Sequence, residues 1–526
     1  MAKQLKLFKK PVPKAKKSAQ KAGLSVSNRD SSRRTTPRTI KVSKITVRTQ
    51  VRTKNNPDLK IKGRSDATIG ANAIKRHWHW RDYFVSSPLK LPARNKREKP
   101  VVFVGMSGGV DSSFTAYILK EQGFEVVGVF MKNWSFPIKQ IKDCPLYQDY
   151  KDMVKVCKFL KIPYLVFSFE KDYRKRVIDP FFKGYEAGLT PNPDVLCNTE
   201  IKFDNFLKKS LQMGADFIAT GHHIRSRCAD PKSLKVSFPV ILATSSVILS
   251  EVVSDPEGLQ TQREESRDPS TSPPSAPAGG GGSTQDDKKT KKIQNGKDSK
   301  TCKDYQLLKG KDPIKDQTYF VYGLTQAQLA KCLFPIGDYI KKDLREMAKK
   351  ANLPTAERRD SQGICFIGNI NVKPFLKTRL PEKEGDIVTK EGKKVGKHEG
   401  AWFYTTGQRR IEGLSGTIKP LYVIGKDIKK NLVIVGDDKD TYAKSARLAK
   451  LHLINKTIKP KDLMDIVLTA KSRYTPEVSR GRLGKDKKGY YFEFIKPERA
   501  ITAGQSLVLY KGDICLGGGI ITKFIV

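Results

Sequence analysis

Apolar positions along this chain follow two regimes. From residue 98 to about 371, short β-branched runs alternate with stretches of helical spacing. VVFVGM (101–106), EVVGVFM (125–131), YLVFSF (164–169) and DFIAT (216–220) read as buried strands. Residues 111–122, 148–161, 171–188 (interrupted by Pro180) and 201–213 read as helices. This alternation predicts an α/β fold, a parallel sheet with helices on both faces. Ligands then sit at the C-terminal ends of the strands. Met131, Cys197 (before the next helix) and Gly221–His222 fall at such ends. Beyond about 385 the runs shorten to GDIVT, LYVIG, NLVIVG, YYFEFI, SLVLY and GGGIIT, separated by Gly, Asp and Lys. They predict a small central β-rich domain (372–440) and a C-terminal β-barrel (441–526).

Two stretches obey neither regime. Residues 229–303 include PSTSPPSAPAGGGGSTQDDKKTKK, a low-complexity text that cannot build a core, and read as an insertion in a surface loop. Residues 1–97 are rich in Lys, Arg, Ser and Thr, with Asp30 the first acid. They read as a mitochondrial presequence followed by a disordered basic segment. A nuclear or RNA-contacting tail competes, and the Lys-rich first 20 residues favour it over an Arg-rich transit peptide. WHW (78–80) and YF (83–84) suggest a docked patch within it. The compartment reading is the mitochondrial matrix, with the cytoplasm as the alternative.

Charge adds a partner. Residues 1–100 hold 28 Lys and Arg against 5 Asp and Glu, half of the net charge of +46. The rest of the chain is therefore basic too, which points to a polyanion, nucleic acid first. No run of 18 apolar residues suits a membrane span. The 8 cysteines contain no C-x-x-C pair, so no zinc ribbon or thioredoxin-like motif is readable. Their low density predicts free thiols in a reducing compartment. A lone cysteine is ordinarily a small buried hydrophobe, and Cys157 in mid-helix and Cys332 in a helical stretch fit that.

The loop between the first strand and helix, SGGVDSS (107–113), carries chemistry. Glycines beside a helix N-terminus close on phosphate. Neither G-x-x-x-x-G-K-[ST] nor G-x-G-x-x-G is present. Ser107, Gly108, Gly109, Asp111 and Ser112 instead resemble the pyrophosphate loop of the adenylating ATP pyrophosphatases, which place AMP on a substrate oxygen. That resemblance implies ATP binding by Gly105, Met106, Ser107, Gly108, Gly109, Val110, Asp111 and Ser112, with Met131 and Gly221 on the adenine and ribose side. It implies Mg²⁺ with ATP, Asp111 being its ligand or the organiser of the loop.

Two cysteines lie in Gly-, Pro-, Asn- and Asp-rich loops, Cys197 in TPNPDVLCNTEIKF (190–203) and Cys365 in RDSQGICFIG (359–368). With SGGVDSS these loops resemble the tRNA-specific 2-thiouridylase family. The resemblance continues through GVFMKNW (128–134), ATGHH (219–223), KDQTYF (315–320), FPIGDYIKKDLREMAK (334–349), YTTGQRR (404–410), SRY (472–474) and AGQSLVLY (503–510). It spans 98–526 apart from the insertion. His223 departs from it, since the family usually has tyrosine there.

The resemblance implies an ATP-pyrophosphatase catalytic domain of HUP-like type over 98–371, and 2-thiolation of a tRNA wobble uridine. A uracil C2 oxygen leaves only once adenylated. Cys365 then carries a persulfide, Cys197 resolves it, and Asp194, beside Asn192 and Pro193 at the target base, takes a proton. A turn-capping role for Asp194 is the plainer reading. Asn192, Pro193, Asp194, His222, Lys315, Asp316, Gln317, Arg473, Tyr474 and Gln505 align with tRNA-contacting motifs. A cysteine desulfurase or sulfur-relay protein is implied as donor, and the chain reads as a monomer. A small-molecule adenylating ligase is the alternative, but it needs neither cysteine loop. An RNA-binding protein without catalysis would have lost the loop or a cysteine, and both are present.

Overall fold

The computed structural model describes residues 86–89, 91, 93, 97–134, 145–229, 302, 304–360, 363, 365, 371–414 and 419–525. The expectations for the basic extension through residue 85, for the WHW and YF patch and for the interior of the insertion lie outside these residues.

Strands β1 (Val101–Met106), β2 (Glu125–Lys132), β3 (Tyr164–Ser168) and β4 (Phe217–Thr220) form the predicted parallel sheet. Every residue of β1 is buried, as a strand covered on both faces requires. The spatial order is β3-β2-β1-β4, so chain direction along the sheet reverses beside β1. That switch point opens a crevice at the strand ends. Helix α1 (Val110–Glu121) follows β1, and α2 (Pro145–Phe159) precedes β3. Cys157 on α2 is buried against Gly128 of β2, where a Cβ would stand 2.6 Å from its sulfur. The order of elements agrees with the apolar pattern.

Three local differences have physical causes. Strand β4 turns back at His222–His223 into β5 (Ile224–Cys228), which pairs antiparallel with β6 (Tyr305–Lys309). The insertion therefore occupies the loop of a β-hairpin. Cys228 and Cys302 are disulfide-bonded at its base, with Cα atoms 5.9 Å apart, which corrects the expectation of free thiols for this pair. Cys332 lies in a two-residue edge strand, β7 (Cys332–Leu333), beside β4 rather than in a helix. Finally, the helix expected from 201 begins at Pro193, and Cys197–Phe206 within it is π-helical. Cys197 thus starts a helical turn instead of preceding one.

Strands β8 (Gly385–Thr389), β9 (Lys394–His398), β10 (Tyr422–Asp427) and β11 (Leu432–Gly436) make a four-stranded sheet in the order β10-β11-β8-β9. Beyond it come β12 (Tyr442–Leu448), β13 (His452–Leu453), β14 (Leu468–Lys471), β15 (Ser479–Asp486), β16 (Gly489–Arg499), β17 (Ser506–Lys511) and β18 (Ile514–Ile525). The order β12-β16-β15-β14-β17-β18 closes by pairing β18 with β12, a six-stranded antiparallel barrel. Leu468, Ala470, Leu483, Phe492, Leu507, Leu509 and Ile521 alternate inward to fill it. Strand β18 also pairs with β6, so the hairpin that follows β4 extends the barrel's sheet. The apolar pattern gave no sign of that joint.

Candidate active site at the strand ends

The phosphate-type loop is built by its serines. Ser112 Oγ accepts from Ser107 N–H at 3.1 Å and donates to the Gly109 carbonyl at 3.1 Å. Ser113 Oγ donates to the same carbonyl at 2.8 Å. Gly109 is the N-cap of α1, with no side chain covering the first N–H groups. A helix of 12 residues thus opens onto the crevice with its positive end bare. Gly221, at the end of β4, packs against this turn: a Cβ there would lie 2.8 Å from Ser112 N and from Asp111 C. Met131 is buried, its methyl 3.1 Å from where a Gly105 Cβ would be.

Cations ring the loop. Asp111 Oδ1 accepts from Lys341 Nζ at 2.5 Å and lies 3.2 Å from His223 Nε2. Burial pushes the Asp111 carboxyl up, but His223 and Lys341 outweigh it and hold it below its ordinary value. His223, the departure from the family pattern, is thus the residue on the loop aspartate. Lys341 also pairs with Asp360 at 3.0 Å, which Arg345 and Lys315 reach at 2.9 Å each. Arg358 donates to the Gly108 carbonyl at 2.9 Å and to Asp152 at 2.9 Å, and pairs with Asp149. Lys341, Arg358 and Asp360 were not singled out in the sequence. Lys341 and Asp360 lie inside motifs quoted above without an assignment, Arg358 directly precedes one, and their partners lie up to 250 residues away.

This arrangement tests the magnesium expectation. Among the described residues no group of three His, Cys, Asp or Glu side chains converges as metal ligands. Asp111 already carries an ammonium on Oδ1. The donor set does not fit a protein-held metal; it fits the other expected role, organiser of the loop.

The two cysteine loops meet. Asn192 caps the short helix Pro193–Leu196, its Oδ1 accepting from Asp194 N–H at 3.0 Å and Val195 N–H at 3.2 Å, with Pro193 at the first position. That frees Asp194 from capping its own turn. Asp194 Oδ1 instead accepts the Cys365 N–H at 2.9 Å, across 171 residues. The Tyr173 hydroxyl donates to the Cys365 carbonyl at 2.6 Å, so the Cys365 backbone is held at both ends. Burial raises the Asp194 carboxyl.

The cysteine side chains share a hydrogen bond and are shifted in opposite directions. Burial, then Cys365, pushes the Cys197 thiol well above its ordinary value. The hydrogen bond from Cys197, then the charge of Lys202, holds Cys365 below its own despite burial. Lys202 stands against Cys365, Cys197 and Asp194, which outweigh burial and raise its ammonium. Lys202 lies inside a motif quoted above, five residues after Cys197, yet carried no assignment. His222 is buried and held neutral by burial and Lys202, with Nδ1 2.8 Å from Thr220 Oγ1.

The expected tRNA contacts divide. Tyr474 is 40% exposed, with its ring centroid 4.6 Å from that of Phe320, an open aromatic face. Arg473 lies beside it, donating to Glu498 at 3.2 Å and to the Arg499 carbonyl at 3.0 Å. Lys315 is half-exposed on Asp360. Asp316 is not a surface group: it is buried on Lys471 at 3.0 Å and accepts from Gly310 and Thr318 N–H. Gln317 accepts the His223 N–H at 2.9 Å. Gln505 donates to the Thr190 carbonyl at 2.8 Å and accepts from Asn192 at 3.5 Å, tying the barrel to the Cys197 loop.

The chain matches the family model of the tRNA methyl transferase HUP domain over residues 100–241 and 285–369. It matches the tRNA methyl transferase PRC-barrel domain over 373–437 and the aminomethyltransferase beta-barrel domain over 444–521. It is 37% identical over 428 residues to a tRNA-specific 2-thiouridylase MnmA of Halalkalibacterium halodurans, covering 81% of this chain and 95% of that protein. A protein of the same name from Lysinibacillus sphaericus is 39% identical over 430 residues, covering 80% and 94%. A third, from Bacillus licheniformis, is 38% identical over 426 residues, covering 80% and 94%.

Proposed function

The chain belongs to the tRNA-specific 2-thiouridylase family and is an ATP-using tRNA uridine 2-sulfurtransferase; from that premise we propose that Cys365 carries the sulfur, Cys197 releases it and Asp194 manages the proton. The observation that carries this reading is the meeting of Asp194, Cys197 and Cys365, brought together from two loops far apart in the chain.

ATP phosphates bind the loop Ser107–Ser112 and the N–H groups that open α1. The uracil O2 attacks the α-phosphorus, and pyrophosphate leaves from that loop. Asp194 takes the N3 proton as O2 is adenylated; its raised carboxyl suits a group that must give the proton back. The outer sulfur of the Cys365 persulfide attacks C2, and AMP leaves with the oxygen. Cys197 gives its thiol proton to solvent and attacks the inner sulfur, Cys365 Sγ. The bond from that sulfur to the transferred one breaks, and the electron pair stays on the 2-thio group. A Cys197–Cys365 disulfide remains, and an external thiol must reduce it. No step runs through a metal held by Asp111.

Substrate placement follows the exposed groups. Tyr474 and Phe320 offer a stacking face for an anticodon loop, and Arg473 a phosphate contact. Asn192, Pro193, Gln317, His222 and Gln505 shape the pocket around the base, while Asp316 acts through Lys471 rather than by touching RNA. The wobble uridine is the target, flipped out of its stack. A persulfide-bearing desulfurase or relay protein supplies the sulfur. The family models begin at residue 100, and the basic residues before it serve as an address to the mitochondrial matrix; fusing residues 1–97 to a fluorescent protein and imaging cells tests that.

The deciding experiment compares wild type, Cys365→Ser and Cys197→Ser on unmodified tRNA with ATP and a persulfide donor. Nucleosides are read by mass spectrometry and pyrophosphate in parallel. Both variants are expected to release pyrophosphate and make no 2-thiouridine. Thiolation by Cys365→Ser at the wild-type rate removes Cys365 from the sulfur path.

A further inference from the structure

Lys202 has no part in the steps above, yet it stands at their centre. Cys197 and Lys202 are five residues apart on one helix. In an α-helix that spacing turns two side chains to different faces, whereas i→i+5 pairing stacks them. The Cys197–Phe206 segment is π-helical, and this places the Lys202 ammonium against the Cys197–Cys365 pair. Helices of this type are rare and concentrate at functional sites.

We propose that Lys202 is a further catalytic residue of sulfur transfer: its ammonium hydrogen-bonds Cys365 Sγ and stabilises negative charge on that sulfur and on the outer sulfur of its persulfide. The proposal rests on the reading of Cys365 as sulfur carrier. The groups acting on Cys365 are the Cys197 thiol, the Lys202 ammonium and the Asp194 carboxylate. Tyr173 and neutral His222 complete the surroundings. Asp194 opposes a second negative charge beside it, and burial opposes it further. The Cys197 hydrogen bond favours the thiolate but brings no charge, and Lys202 is the cation that balances Asp194.

The consequence is an order of events. The thiol that ionises more readily attacks first, so Cys365 is loaded and Cys197 waits. In loading, Cys365 S⁻ attacks the outer sulfur of a protein persulfide. The donor's S–S bond breaks as the new one forms, and the donor departs as a thiolate that takes up a proton. The outer sulfur on Cys365 gives its own proton to solvent, and no net oxidation occurs.

The test follows iodoacetamide alkylation of Cys365 in the full chain, read by peptide mass spectrometry across about pH 5 to 9. Wild-type Cys365 should titrate below a free thiol. Lys202→Met should move its midpoint up by about one pH unit and slow alkylation at neutral pH about tenfold. Lys202→Arg should keep a low midpoint, which a purely structural role would not predict. An unchanged profile in folded Lys202→Met overturns the proposal. If that variant does not fold, the wild-type midpoint decides, and one at or above a free thiol also overturns it. Thiolation by Cys365→Ser would instead sink the underlying reading; thiolation lost there, with an unmoved Lys202→Met profile, sinks the Lys202 role alone.

Discussion

Gly108 holds φ at +76°, and a Cβ there would stand 2.4 Å from the Asp149 carbonyl oxygen and 2.8 Å from Arg358. Both facts exclude a side chain. Gly108→Ala should cost about 1–3 kcal/mol, read from urea unfolding, and raise the KM for ATP in a pyrophosphate-release assay. An alanine variant with wild-type stability and KM would mean that the loop tolerates another shape. Single residues of this kind were legible in the sequence wherever chemistry is local: the two glycines, the loop serines, and the two cysteines in loops. Lys341 and Arg358 were not, because a charge is recognised as functional only by what it faces, and their partners come from distant parts of the chain. Asp316 was misplaced for the converse reason. Its motif is local, but its burial on Lys471 is tertiary.

Elements carry the next layer. The apolar runs predicted β1 to β4 because a strand covered on both faces is apolar throughout. They could not reveal that β5 and β6 join the barrel through β18, since edge pairing uses backbone groups that leave no trace in composition. Close to that joint the Lys471–Asp316 pair links strand β14 to the segment after β6, with both side chains almost wholly buried. Lys471→Met should therefore destabilise by about 3–5 kcal/mol, because Asp316 is left charged and dry. The double variant Lys471→Met with Asp316→Leu should recover much of the loss. A single variant within about 0.5 kcal/mol of wild type, by denaturant melt, contradicts this account. The π-helical turn at Cys197 is a similar case: periodicity announces a helix but not its pitch.

At the scale of the molecule, charge ties the nucleotide loop to the segment that leads to Cys365. Asp360 receives Lys315, Lys341 and Arg345, and Lys341 also holds Asp111. Burial raises the Asp360 carboxyl, but Lys315 and Lys341 outweigh it and bring it down to about 2. A carboxyl depressed on folding contributes stability above its ordinary value and loses it as pH falls through its folded value. The contribution of Asp360 should be complete above about pH 4 and fade toward about pH 2. Urea midpoints of wild type and Asp360→Asn should differ near neutrality and converge in acid; a constant gap places the effect elsewhere. Net charge predicted a nucleic-acid partner for the whole chain, but not this internal use of lysine and arginine.

The hairpin of β5 and β6 has one more consequence. The chain departs at Cys228 and returns at Cys302 with the two Cα atoms 5.9 Å apart. A detour that ends where it began asks nothing of the fold that sends it out, since closing a loop costs little more when the loop is long. The neck is thus a ready-made port. Replacing the detour with a tight turn, or with a fluorescent domain whose termini lie close together, should leave the strands on either side in register. Evolution and the protein engineer have the same freedom at this point: cargo can be exchanged there without rewriting the enzyme.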